Sequence, residues 1–160
     1  MGNECQSPKS AFAVVVVNDE SLRNVLTDLV YKAGLEFRCY ASAEPALSEM
    51  SAWIPSATGD ISELPALIII DISMPGIDGW NFCRMLRSPE YTPFNHVPIL
   101  VVSATLSGPE ADRIVVDLGA EAFLTSPIDG ERFFEKVQAI LSGKHVRTPL
   151  HVLIVEDSKA

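Results

Sequence analysis

Residues 66–79 read ALIIIDISMPGIDG, an aliphatic run that stops on Asp71 and breaks at once into a Met-Pro-Gly turn. Residues 67–70 are apolar without alternation, the pattern of a strand buried on both faces, as in a parallel sheet covered by helices on either side. Asp71 then falls at the carboxyl end of that strand, and in open α/β sheets ligands bind in the crevice beyond those ends. A carboxylate so placed is positioned for chemistry, although an Asp at a strand end also serves to cap a turn or the next helix.

Outward from this stretch the same unit recurs. Residues 11–17 form a second buried-strand run ending on Asn18-Asp19-Glu20, which puts an amide and a carboxylate at another strand's carboxyl end. Leu22, Val25, Leu26, Leu29 and Val30 then fall on one face of a helix that Gly34 terminates. Residues 35–40 read as a short strand, and 42–53 as a helix with Ala46, Leu47 and Met50 inward. The polar segment 54–65, broken by Pro55 and Pro65, is an insertion longer than the usual connection. After Asp71, residues 78–87 predict a helix with Trp80 off its Phe82 and Leu86 face, and 97–102 a strand that ends on Ser103. Ala111, Ile114, Val115 and Leu118 mark a helix over 109–118, with Gly119 as its stop. Residues 121–124 make a fifth strand, and 129–141 a closing helix with Phe133, Val137, Ile140 and Leu141 inward. Five successive βα units predict a parallel sheet with right-handed crossovers and helices on both faces, a doubly wound α/β sandwich.

Composition narrows the function. With 21 acidic against 12 basic residues and a net charge of -9, the chain has no basic footprint for nucleic acid or an anionic membrane. Its longest apolar runs are far shorter than the ~20 residues of a membrane span. The N-terminus lacks a signal-peptide core, which makes a cytoplasmic location the expectation. Cys5, Cys39 and Cys83 have no metal-ligand spacing and read as reduced thiols. His96, His145 and His151 are similarly scattered and read as solvated or structural.

The expected organisation is an irregular lead-in over 1–10, one domain over 11–142 and a linker over 143–150. The last ten residues, HVLIVEDSKA, align with AVVVVNDES near the start, Glu156 on Asn18 and Asp157 on Asp19. Any aliphatic strand followed by acids gives a similar match, but the first domain is already complete, which favours the start of a second copy.

Asn18-Asp19, Asp71, Ser103 and Ser126 all fall at strand ends and should converge on one face. With D-x-x-M-P-x-x-D-G at 71–79, the Asn18-Asp19 pair, Ser103-Ala104 and F-L-T-x-P at 123–127, residues 11–141 resemble the receiver domain of two-component response regulators. The resemblance implies a flavodoxin-like fold with strand order 2-1-3-4-5 and a cis Ser126-Pro127 bond. It implies Asp71 as acceptor of a phosphoryl group from a histidine kinase or phosphotransfer protein. Asp19, Asp71 and the Ser73 carbonyl would hold Mg²⁺, with Asn18 a weak contributor. The Ser103 hydroxyl and the Ala104 backbone would face the phosphoryl group, and Phe123 would be the aromatic that reorients to signal. Such a domain is not an enzyme beyond Mg²⁺-assisted self-phosphorylation and dephosphorylation. Its expected partners are the phosphoryl donor, the adjacent receiver and, potentially, a second copy in a homodimer.

The chemistry suits these assignments. Phosphoryl transfer to a carboxylate needs positioning and charge neutralisation, and a hard divalent cation bound by oxygens supplies the second. Two positions depart from the family pattern. Ser126 replaces the usual lysine, whose charge-assisted contact is worth about 1.5–3 kcal/mol. Asn18 replaces an acid, removing at ~4 Å and an effective dielectric of ~20 about 4 kcal/mol of gross attraction to the cation, much reduced by water. Both weaken the same site, so a degenerate receiver acting as a phosphorylation-independent docking or dimerisation module is the competing reading. A hydrolase of the haloacid dehalogenase type fits less well, since it expects an Asp two residues after the nucleophile, where this chain has Ser73.

Overall fold

Strands buried on both faces pair in parallel only if helices return the chain across the sheet, and each aliphatic run here is followed by one. A computed structural model of the protein describes residues 11–53, 64–106 and 108–143. The elements are β1 (Phe12–Val16), α1 (Glu20–Lys32), β2 (Glu36–Tyr40), α2 (Ala43–Ala52), β3 (Leu67–Asp71), α3 (Gly79–Leu86), β4 (Ile99–Ser103), α4 (Gly108–Leu118), β5 (Ala122–Thr125) and α5 (Gly130–Leu141). The sheet has five strands in the order β2-β1-β3-β4-β5, all parallel, the flavodoxin-like topology expected. The Ser126-Pro127 bond is cis.

Alternate residues of each strand feed two cores. Val14, Val16, Ile68, Ile70, Ile99 and Val101 pack with residues of α2, α3 and α4, and Trp80 lies half-buried against this cluster. On the opposite face Ala13, Val15, Leu67, Ile69, Leu100 and Val102 pack with residues of α1 and α5. Strands β3 and β4 are buried throughout, whereas β2, at the sheet edge, is largely exposed.

Several expected boundaries shift. Asp78 and Asp129 lie outside their helices as N-caps, accepting the N–H of Asn81 at 2.9 Å and of Glu131 at 2.9 Å. The Pro-rich connection after α3 is a 3-10 stretch, Pro89–Phe94, that buries Tyr91 and Phe94. Glu121 precedes β5, and its carboxylate accepts the Ile99 N–H at the start of β4. Val25 and Leu141, expected inward, are 46% and 43% exposed: the helix stripes are narrower than the apolar periodicity suggests. The lead-in over 1–10, residues 54–63 of the 54–65 insertion, residues 144–150 of the 143–150 linker and the repeat at 151–160 lie outside the described residues.

Candidate functional site

The register aligns the carboxyl ends of the strands. Val16 pairs with Ile70, Asp71 with Val102 and Ser103 with Thr125, so the polar residues just beyond share one edge of the sheet. Asp71 ends β3 at 9% exposure, and its Oδ1 accepts the Ser73 N–H at 3.0 Å. Burial raises its pKa above the ordinary carboxylate range; the Ser73 N–H opposes this, and the negative charge of Asp19 adds to it.

Asp19 therefore lies within electrostatic reach of Asp71, although it also does the work of an N-cap, its Oδ1 accepting the Leu22 N–H at 2.7 Å. For this residue the capping reading of a strand-end acid holds. Each of the two carboxylates spends one oxygen on a backbone N–H, leaving its other oxygen without a hydrogen bond among the described residues. No third acid, histidine or cysteine joins them in a cluster among the described residues. Asn18 turns its amide elsewhere: Nδ2 donates to the Ala41 carbonyl at 3.2 Å and ties the end of β1 to the β2–α2 connection.

Ser103 is fully buried, with its Oγ accepting the Thr105 N–H at 3.1 Å and lying 3.2 Å from the Thr105 hydroxyl. Ala104, next in the chain, is exposed. Ser126 joins the same edge through its N–H, which donates to the Ser103 carbonyl at 2.9 Å. Its side chain is half-buried. Phe123, on β5 opposite Val101, is also half-buried and packs against the α2–α4 core. Thr125 Oγ1 donates to the Leu106 carbonyl at 3.3 Å, linking β5 to the loop after β4.

Two contributors, Arg23 and Glu44, gave no signal in the sequence, and a third, Gly79, stood there only as the last position of the 71–79 motif. Arg23 donates from NH1 to the carbonyls of Val17 at 2.8 Å and Asn18 at 3.2 Å, bracing the segment that carries Asp19. Gly79 lets α3 start against the site, since a Cβ there would stand 2.6 Å from the Asp71 carbonyl oxygen and 2.7 Å from Ile72 Cα. Glu44 of α2 accepts the Ile77 N–H at 3.0 Å across 33 residues of chain, a separation no local pattern reveals.

The donor set suits a hard divalent cation. Two like-charged carboxylates lie within electrostatic reach of each other, each with an oxygen to spare among the described residues and one made costly by burial, and a bound cation would relieve both penalties. This geometry defines a class: a doubly wound α/β domain with an acidic pocket at the carboxyl edge of its sheet. The chain belongs to the response regulator receiver domain family, whose model matches residues 14–138. Among its relatives, the alkaline phosphatase synthesis transcriptional regulatory protein SphR of Synechococcus elongatus is 32% identical over 133 residues, covering 82% of this chain and 49% of that protein. Response regulator PleD of Caulobacter vibrioides is 39% identical over 85 residues, 52% of this chain and 18% of PleD. The chain thus spans about half or less of these relatives' lengths. Among solved structures, the chemotaxis protein CheY4 of Vibrio cholerae shares the fold at a TM-score of 0.68 and 23% identity, over 82% of this chain and 99% of that one. A response regulator receiver protein from Burkholderia phymatum superimposes at 0.66 with 26% identity, over 82% and 95%. No helix among the described residues is long and apolar enough to cross a membrane.

Proposed function

We propose that this receiver accepts a phosphoryl group on Asp71 from a histidine kinase or phosphotransfer protein, and that it does so with reduced efficiency. The observation that carries this reading is the buried Asp71 carboxylate within electrostatic reach of Asp19, two acids with no ion pair between either of them and a basic side chain among the described residues. Asp19, Asp71 and the Ser73 carbonyl would hold Mg²⁺, with Asn18 at most a weak neutral ligand. When bound, the ion supplies charge neutralisation for an anionic phosphoryl donor.

The chain's own groups do the rest. The Ser73 N–H fixes one oxygen of Asp71 and thereby directs the other outward as the attacking atom. That oxygen forms the new bond to phosphorus while the bond to the donor breaks and the donor leaves with the electron pair. The Ser103 hydroxyl, which Thr105 contacts, and the Ala104 backbone would hydrogen-bond a phosphoryl oxygen. Ser126 offers a hydroxyl where the family carries a lysine, so one positive contact is missing. Movement of Phe123 and of the Thr125–Leu106 contact would pass the event to the surface. No further catalytic activity is assigned to the domain, and in a longer chain an adjacent receiver would be the nearest partner.

Incubation with acetyl phosphate and Mg²⁺, followed by intact mass measurement, tests the reading. The expected result is a single phosphoryl adduct on the wild type and none on Asp71→Asn. An adduct that survives the substitution places the phosphoryl group on another residue and overturns Asp71 as its acceptor, whereas its absence from the wild type at long incubation favours the phosphorylation-independent docking module.

A further inference from the structure

The segment that follows Asp71 is pinned from outside the pocket. Its near end is the Ser73 N–H on Asp71 Oδ1 at 3.0 Å, and its far end is the Gly79 N–H on the Ile72 carbonyl at 3.0 Å. Between them the chain passes through Met74, Pro75, Gly76 and Ile77; Met74 and Ile77 pack on the α2–α4 core, and the segment's hydrogen bond to that helix layer among the described residues comes from Glu44, in the first turn of α2. The Glu44 carboxylate accepts the Ile77 N–H at 3.0 Å and lies directly over Gly76, where any Cβ would collide with it. Gly76 has a φ of 76°, in the left-handed region that glycine enters without steric penalty. The backbone conformation and the space for the carboxylate therefore depend on the same residue. The Ile77 N–H is also the largest influence holding the Glu44 carboxyl below its usual range.

We infer that Glu44 is a positioning residue: seated over Gly76 on the Ile77 N–H, it fixes the apex of the loop after β3 and so keeps the Ser73 N–H and carbonyl in place beside Asp71. The inference deepens the phosphoacceptor reading and rests on it for its consequence. It has a plain rival, because an acid in the first turn of a helix also complements the positive end of the helix dipole. The two roles separate by side-chain length and charge. Glu44→Asp keeps the charge on the first turn of α2 but shortens the reach by one methylene. Glu44→Gln keeps the reach and an acceptor oxygen but loses the charge.

The experiment compares wild type, Glu44→Gln, Glu44→Asp and Glu44→Ala. It reads amide hydrogen exchange at Ile77 and Ser73 by NMR, Mg²⁺-induced amide shifts, and the rate of Asp71 phosphorylation by acetyl phosphate. The Asp and Ala variants are expected to exchange about five- to tenfold faster at both amides, the effect of one lost hydrogen bond. They should also need more Mg²⁺ and take the phosphoryl group more slowly, while the Gln variant stays near wild type on every readout. A normal Asp variant with an impaired Gln variant overturns the inference in favour of the dipole role. Faster exchange confined to Ile77, with Ser73 and the Mg²⁺ response unchanged, overturns it by showing that the tie stops short of the site. If the wild type takes no phosphoryl group, the phosphoacceptor reading falls. Exchange at Ser73 then still decides the inference: faster in the Asp variant supports it, and unchanged overturns it.

Discussion

Asp71 and Glu121 are equally buried, each 9% exposed, yet they sit at opposite ends of the sheet in opposite surroundings. Glu121, at the amino end, accepts the Ile99 N–H at 2.7 Å and lies 3.8 Å from Arg87. That guanidinium also donates to the carbonyls of Phe94, Val97 and Gly119, so one ion pair laces α3, the 3-10 stretch, β4 and the approach to β5 together. Asp71, at the carboxyl end, has a single backbone N–H and faces another carboxylate. Equal burial thus serves two purposes. A carboxylate met by a cation and donors braces the fold, and one held against its own kind marks a place where a cation or a reacting group is expected.

The largest expected effect is at the brace. Glu121→Ala removes the counter-charge of the Arg87 guanidinium and the acceptor of the Ile99 N–H, and should lower stability by about 3 kcal/mol in urea denaturation. A loss below about 1 kcal/mol would place this carboxylate among ordinary surface acids and dissolve the contrast.

Adding a cation at position 126 on the carboxyl edge comes next. Ser126→Lys should speed phosphorylation by acetyl phosphate at least about tenfold, the lower end of what a charge-assisted contact supplies. An unchanged rate would mean that position 126 does not face the phosphoryl group. Adding an acid instead of a base acts on both properties at once. Asn18→Asp should tighten Mg²⁺ binding several-fold while lowering stability without Mg²⁺ by about 1 kcal/mol, since the tie to Ala41 is lost and a third negative charge added. Tighter binding with no loss of stability would show that the Asn18 amide is not a structural tie.

The smallest effect is one of sign. Because the folded state raises the Asp71 pKa, the folded chain holds that proton over a pH range in which the unfolded chain has released it. Stability from this group therefore falls as pH rises from the ordinary Asp range through the folded value. In Asp71→Asn that fall should vanish, leaving the variant the more stable at neutral pH without Mg²⁺. An identical pH dependence in the two proteins would mean that Asp71 is not held at a cost.

The sheet was legible because its signal is local. Uninterrupted runs such as 67–70 and 99–102 read as buried strands, and Asp71 and Ser103 at their ends mark the candidate edge without reference to anything distant. Asp19 was legible as a candidate for the same reason. What stayed hidden depends on long-range partners. The Glu44–Ile77 bond and the Arg87–Glu121 pair join residues more than thirty positions apart, and the exposure of Val25 and Leu141 depends on how far neighbouring elements extend over each helix. Asn18 illustrates the limit within a single motif. Its type announced a lost charge, but only the fold shows the amide engaged with Ala41.

Titration of Mg²⁺ against backbone amide shifts tests the contrast most directly, because both carboxylates report in one experiment. The amides flanking Asp19 and Asp71 should move with added Mg²⁺, those of Ile99 and Glu121 should stay still, and Asp71→Asn should abolish the response. Silence around Asp19 and Asp71 at tens of millimolar Mg²⁺, or equal movement at both ends of the sheet, would contradict the account.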